Sequence, residues 1–212
     1  YARQTRQTNG LDGLAAMVIV IASAIVNVRV LVEIGVAAPA LLQAAAGPIG
    51  AMLLLMVIES VVLYALVHKT ADQPPLHDNP AQLKPAIVFG ALYAIILFIV
   101  AAAKDLFGER ALYGVACISG LTDVDAITLS TARMFNEQRI EVGTAWRVIL
   151  IATMSNLVFK AGAVALLGSR RLLLYVAVAF ATALVGGALL LIVWPDTFPA
   201  EMLNSRSSNL EL

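Results

Sequence analysis

Asp123 and Asp125 stand two residues apart in an otherwise apolar part of the chain. On a regular helix, residues at this spacing point about 200° away from each other, so the two carboxylates cannot share one helix face. Either one aspartate faces the interior and the other a different partner, or the helix is broken. We expect a break near Gly120, where neighbouring side-chain oxygens satisfy the freed backbone amides. Carboxylates together with the hydroxyls of Thr122 and Thr128 are ligands that suit hard cations such as Mg²⁺, Ca²⁺ or Mn²⁺.

A second polar set follows 28 residues later, where Thr153, Asn156 and Lys160 form one stripe on a helix because of their i, i+3 and i+7 spacing. If the two segments are antiparallel neighbours, Asp125 and Asn156 lie within about one helical turn of the same depth. Lys160 would then neutralise one aspartate and leave the other for a cation or a proton. The alternatives are a permanent Asp–Lys pair that only aids assembly, or an aspartate that caps a helix.

Three further ionisable residues form a second rank of candidates. Arg29 and Glu33 stand at i and i+4, so they lie on one helix face and can pair. Both are near the end of a span, where a long side chain also reaches the membrane surface without any functional role. Glu59 lies deeper and has no ionisable residue one turn away in its own helix, so it needs a partner from another helix or a proton.

The composition places these polar groups in a membrane. Of the 212 residues, 60% are hydrophobic and 13% are charged, whereas a soluble domain has about 45–50% apolar and about 25% charged residues. The 14 basic residues balance the 14 acidic ones, which argues against a nucleic-acid partner. Cys117 is the single cysteine of the chain, so neither an intramolecular disulfide nor a Cys-rich metal site is available. No catalytic motif is recognisable, and we expect a protein that is not an enzyme and has no resident cofactor.

The apolar segments predict an all-α, polytopic membrane helix bundle with about six transmembrane helices, each of about 20 residues or more. The transmembrane domain is expected at residues 11–195, after a polar N-terminal segment at 1–10. The tail at 205–212 is typical of an expression-vector linker, and residues 39–48 are too short to cross and favour a surface helix. The six predicted spans are 11–38, 47–67, 85–103, 111–132, 142–167 and 172–194.

Basic residues in the short loops favour cytoplasmic termini, because the cytoplasmic side of a membrane protein carries more lysine and arginine. The proposed cytoplasmic side carries Arg3, Arg6, Lys69, Lys84, Arg133 and Arg139, and the other side carries Lys104, Arg110, Arg170 and Arg171.

A bundle of six spans is thin, so a homodimer with the site near its interface is expected within the lipid bilayer.

Four segments resemble the C-terminal membrane domain of MgtC/SapB-type bacterial proteins: residues 79–86, 104–108, 119–128 and 155–162. The block Gly-Leu-Thr-Asp-Val-Asp-Ala is the most specific of them, and the resemblance extends over about residues 11–194. It implies a multi-pass protein of the bacterial inner membrane with a connection to magnesium homeostasis. It also implies an N-terminal MgtC-like segment, or another membrane protein that is regulated, as a partner.

We therefore expect a secondary transporter or channel for a divalent cation resembling Mg²⁺, with or without proton coupling. The alternatives are a membrane-embedded regulatory or scaffold module that binds another membrane protein, and a proton-coupled anion transporter in which Lys160 and Arg29 bind the substrate. In the first hypothesis, the metal ligands are Asp123 and Asp125. The full set of candidate site residues is Asp123, Asp125, Thr122, Thr128, Asn156 and Lys160, followed by Glu59, Arg29 and Glu33.

Overall fold

The structure, a computed structural model, describes residues 12–67 and 112–195. The predicted segment at 1–10, the predicted span at 85–103 and the tail at 205–212 lie outside these ranges. All regular structure in the described part is helical. The helices are α1 (Asp12–Ala37), α2 (Pro39–Val67), α3 (Leu112–Thr122), α4 (Val124–Asn136), α5 (Val142–Leu167) and α6 (Arg170–Val193).

Four of these helices, α1, α2, α5 and α6, are long and apolar enough to cross a membrane. They contain 24 to 29 residues each, whereas about 20 suffice for the hydrocarbon core. Large apolar side chains point away from the bundle, with Val36 81% and Ile192 80% exposed. Such an outer surface suits lipid and not water, so the predicted helical membrane protein is confirmed.

Helix α2 begins earlier than the sequence predicts. We expected a span at 47–67 and a separate surface helix at 39–48, but one helix runs from Pro39 through the buried Pro48. Pro39 occupies the first turn, where a missing amide proton costs nothing. An internal proline is tolerated in a membrane helix because neighbouring helices and local adjustments satisfy the freed backbone groups.

The directions of the helices follow from contacts near their two ends. Helices α1 and α5 are antiparallel, because Ser23 in the middle of α1 contacts Lys160 of α5, and Asp12 at the start of α1 contacts Ser169, which follows α5. Helix α4 runs in the same direction as α1. Its first turn contacts Arg29, and its last residue, Asn136, donates from Nδ2 to the carbonyl of Ala37 at 2.8 Å.

The break predicted near Gly120 lies instead at Asp123, where α3 ends and α4 begins. Asp123 has extended backbone angles, φ −148° and ψ 100°, and its Oδ1 accepts from the backbone N–H of Ala126 at 3.0 Å. Gly120 itself lies within α3 and faces α5, where an added Cβ would stand 2.5 Å from the Cα of Ala152. The glycine therefore permits close helix packing, whereas the aspartate caps the next helix.

Helices α3 and α4 form a hairpin with Asp123 at its tip. The carbonyl of Gly120 points towards the C-terminal end of α3 and accepts from Asn156 Nδ2 at 3.3 Å, one turn beyond Ala152 in α5. Four residues earlier, Ala116 packs in one cluster with Val148, four residues before Ala152. Helix α3 is thus parallel to α5, whereas α4 is antiparallel to it. This geometry differs from the single crossing predicted at 111–132.

Ser169 ties the start of α6 to the start of α1. Its hydroxyl oxygen accepts from the backbone N–H of Leu172 at 3.0 Å and bonds to the carboxylate of Asp12. We expect Ser169→Ala to lower the free energy of unfolding by about 1 kcal/mol, the usual cost of a lost N-cap. Thermal unfolding in detergent measures this loss, with Ser130→Ala on the exposed side of α4 as the control. Equal stability of the two variants would contradict it.

Candidate functional site

Arg29 of α1 binds two carboxylates at once. Its Nε lies 2.9 Å from Asp125 Oδ1 on α4 and 3.3 Å from Glu33 Oε1 on α1, and its Nη2 contacts Asp125 Oδ2. We call these three residues the Arg29 cluster. Because both carboxylates contact the same Nε atom, their nearest oxygens are no farther apart than these two distances combined. The cluster stays accessible, with the side chain of Arg29 58% and that of Asp125 28% exposed.

Glu33 retains an unused acceptor in this cluster. Its Oε2 is buried and has no hydrogen-bond partner within residues 12–67 and 112–195. A buried carboxylate oxygen without a donor costs free energy, which a bound cation would recover. The cluster therefore offers a cation more oxygens than Arg29 itself engages.

Asp123 is separated from Asp125, as their spacing requires. Its carboxylate caps α4, and the neighbouring Thr122 hydroxyl donates to the carbonyl of Ser119 at 3.2 Å. Both predicted ligands thus serve the backbone around the break. Among the residues that the structure describes, no group of three or more His, Cys, Asp or Glu side chains is placed to hold a metal ion. Asp123 and Asp125, the predicted metal ligands, have separate partners in the structure, the backbone N–H of Ala126 and the Arg29 side chain.

Three hydroxyls near the hairpin are buried without a partner from the described ranges. Thr128 and Thr131 on α4 are 0% exposed, and Ser119 on α3 is 4% exposed. Thr128 is a predicted site residue and lies one turn from Asp125, whereas Ser119 and Thr131 are not among the predicted site residues. Thr128 and Thr131 stand at i and i+3 on α4, so they lie on the same helix face, and this spacing was the sequence signal for Thr131. Such hydroxyls can donate or accept, so they suit a polar solute or water.

Asn156 and Lys160 are placed on the interior of α5, but neither contacts an aspartate. Asn156 binds the carbonyl of Gly120, and Lys160 Nζ donates to Ser23 Oγ at 3.1 Å. Ser23 in turn donates to the carbonyl of Ile19 at 2.8 Å. Since Arg29 is six residues beyond Ser23 on α1, Lys160 lies about 9 Å along the bundle from the Arg29 cluster. Arg29, and not Lys160 as the sequence predicted, is therefore the basic residue that pairs with an aspartate.

Asn27 is a polar residue of the interior that the sequence analysis missed. Its Nδ2 lies 3.3 Å from the sulfur of Met56 and 3.4 Å from the carbonyl of Ser23, and its Oδ1 is buried with no partner in the described segments. The i, i+4 spacing of Ser23 and Asn27 in an apolar span was the signal that indicated an inward polar face. Glu59 of α2 is also inside, and both of its Oε atoms are buried without a described partner.

Comparison with known proteins adds a family but no activity. A family model described as "Domain of unknown function (DUF4010)" matches residues 1–168. An uncharacterized protein of Aquifex aeolicus (strain VF5) is 40% identical over 97 residues, which are 46% of this chain and 42% of that protein. This chain thus spans less than half of that relative, and no solved structure matches it. The resemblance to MgtC/SapB-type proteins stays a prediction.

Proposed function

The chain belongs to the family described as Domain of unknown function (DUF4010), and on that premise we propose that it forms the membrane-embedded part of a secondary transporter or channel for a divalent cation such as Mg²⁺. The observation that carries this proposal is the Arg29 cluster, in which carboxylates from two helices share one guanidinium. Arg29 acts as a built-in cation that holds the site, and the transported ion takes its place.

The chemistry of the cluster fits a hydrated divalent ion. Mg²⁺ keeps several water molecules and is commonly held by one or two carboxylates. When Arg29 swings away, Asp125 and Glu33 are left close together, and a divalent ion neutralises both charges at once. The swing requires little repacking, because the Arg29 side chain is more than half exposed. Since Arg29 returns when the ion leaves, the carboxylates are never left without a positive partner.

The α3–α4 hairpin supports a route at this place. Helices that turn back at membrane depth are tolerated where they are buried in protein or line a water-filled cavity, and such breaks hold substrates in transporters. Asp123 at the tip stabilises the break by capping α4, while Asp125 in the first turn of α4 contacts Arg29. In this proposal the protein is a homodimer of the bacterial inner membrane with cytoplasmic termini.

Flux into proteoliposomes tests the proposal directly. We expect the intact chain to admit at least one ion of a panel of Mg²⁺, Mn²⁺, Co²⁺ and Ca²⁺ faster than empty liposomes do. Absence of flux for all four ions, in protein that is folded and inserted, would reject the cation route. Partners isolated from native membranes would then decide in favour of a regulatory or scaffold module.

Removal of the built-in cation should strengthen metal binding. We expect Arg29→Gln to bind Mg²⁺ about tenfold more tightly than the unmodified protein, equivalent to about 1.4 kcal/mol, because the ion no longer competes with a guanidinium. Glu33→Gln should weaken binding, since one of two carboxylates is lost. Titration calorimetry measures both, and Arg133→Gln at the exposed end of α4 is the matched control. Weaker or unchanged binding by Arg29→Gln would contradict the role of Arg29.

A second candidate, proton-coupled anion transport, is favoured by the environment of Lys160. In the part of the chain that the structure describes, its ammonium is hydrogen-bonded to the hydroxyl of Ser23 and forms no ion pair. An ammonium inside a bundle without a carboxylate partner attracts an anion. Uptake of a small organic acid that Lys160→Gln abolishes, without any divalent-cation flux, would favour this candidate over the first.

A further inference from the structure

Glu59 is a carboxyl group inside the bundle that the proposed cation route does not use. Both of its oxygens are buried, and neither has a hydrogen-bond partner in residues 12–67 and 112–195. An ionised carboxylate in such a place is costly unless a charge or several donors compensate it. Whether Glu59 is ionised or protonated therefore depends on the charges at the same depth.

Contacts between helices place Lys160 at the depth of Glu59. Helices α1 and α2 are antiparallel neighbours, since Ala38 alone separates them and Asn27 contacts Met56. Ser23 lies one turn before Asn27 in α1, and Glu59 lies about one turn after Met56 in α2. Because the two helices are antiparallel, both residues are displaced in the same direction and lie at the same depth. Lys160 donates to Ser23 and is therefore level with Glu59 as well.

The other helices that pack on α2 bring no charge to this depth. Helix α1 contributes Arg29, about 9 Å further along its axis than Ser23. Helix α6 has no charged residue after Arg171 at its start, and α5 has Arg147 about 20 Å away from Lys160 along its axis. Within the part of the chain that the structure describes, the remaining titratable neighbours are Tyr64 on α2 and Tyr175 on α6, both a turn or more towards the end of α2. Among the described charged residues, Lys160 is thus the one closest in depth to Glu59.

We infer that Glu59 is a proton-binding site in the middle of the bundle and that the Lys160 ammonium competes with the proton for it. In one state, Lys160 donates to Ser23, as in the structure, and the Glu59 carboxyl carries the proton. In the other state, Lys160 swings to Glu59 and forms an ion pair, and the proton passes to water. The net charge of the pair changes by one proton, which gives a transporter a means of coupling to a proton gradient.

Infrared titration of the intact chain in proteoliposomes tests this inference. We expect a stretching band of a protonated carboxyl group that shifts in D₂O and is absent from Glu59→Gln. The matched control is Glu141→Gln, which removes an exposed carboxyl group at the start of α5 and should retain the band. In Lys160→Met the band should persist to higher pH, because the proton no longer competes with an ammonium.

Two results would overturn the inference: a band that is unchanged in Glu59→Gln, or a band whose pH range is the same with and without Lys160. If Glu59→Gln does not fold, the comparison of the intact chain with Lys160→Met decides. The infrared signal requires no transport. It therefore stands or fails independently of divalent-cation flux and of the role of the Arg29 cluster.

Discussion

Proteoliposomes that carry the Asp125→Asn variant should take up divalent cations no faster than empty liposomes. The change keeps the size of the side chain and removes the charge that faces Arg29 across the helix interface. The ion would then meet a single carboxylate, Glu33, which Arg29 continues to occupy at 3.3 Å. If transport depends on exchange between Arg29 and the ion, the ion would lose the Asp125 carboxylate that binds it.

The matched control is Asp123→Asn, the same chemical change two residues earlier. Asp123 accepts a hydrogen bond from the N–H of Ala126 as the N-cap of α4, and asparagine is as good an N-cap as aspartate. We therefore expect Asp123→Asn to retain most of the flux of the intact chain. Initial rates of ion entry, at equal amounts of inserted protein, measure both variants.

The two variants also distinguish the metal site predicted from the sequence from the metal site proposed from the structure. From the sequence alone, Asp123 and Asp125 are equal candidates for metal ligands, so both variants should lose flux. Our proposal instead places the metal between Asp125 and Glu33, whereas Asp123 accepts from the backbone N–H of Ala126. Flux that survives in Asp125→Asn would reject the Arg29 cluster as the route, whatever Asp123→Asn does.

The helices that cross the membrane were predictable because their signal is local. About 20 apolar residues in succession leave a chain few alternatives in lipid, and α1, α5 and α6 lie within a few residues of the predicted spans. Helix α2 shows the limit of this argument. The sequence predicts a short surface helix between Pro39 and Pro48, but the effect of the two prolines depends on packing that local sequence does not reveal.

The partners within the site depend on long-range geometry. Arg29 and Asp125 are 96 residues apart, and they meet because α4 runs parallel to α1 after the turn at Asp123. A single crossing helix, as the sequence suggested, would have aligned Asp125 with α5 and made Lys160 its natural partner. The spacing of Asn156 and Lys160 was sufficient to place both on the interior of α5, but it did not specify which helix each would meet.

The position of the helix break illustrates a competition between two local signals. Gly120 relaxes the backbone, whereas aspartate is among the best N-cap residues. Asp123 provides the cap, and Gly120 lies within α3, where α5 approaches it too closely for any side chain. Ala116 and Gly120, four residues apart, form a small-residue face, which is a common helix-packing motif in membranes. Sequence alone does not tell such a packing glycine from a breaking one.

Substitution of Gly120 by alanine should strongly destabilise the protein. The added Cβ would lie 2.5 Å from Cα and 2.8 Å from the carbonyl carbon of Ala152, and backbone atoms cannot rotate away as a flexible side chain does. We expect a loss of about 3 kcal/mol, at the upper end for overpacking. The α3–α4 hairpin would have to separate from α5, and the bond from Asn156 to the carbonyl of Gly120 would be lost with it.

Gly114→Ala provides the control for this prediction, since it makes the same change on the same helix. An added Cβ at Gly114 meets nothing within 4 Å, so its melting temperature in detergent should equal or exceed that of the unmodified protein, because alanine is the better helix former. Equal melting temperatures for the two variants would mean that α3 is not packed closely on α5. The hairpin, and with it the position of Asp125 beside Arg29, would then need a different arrangement of the helices.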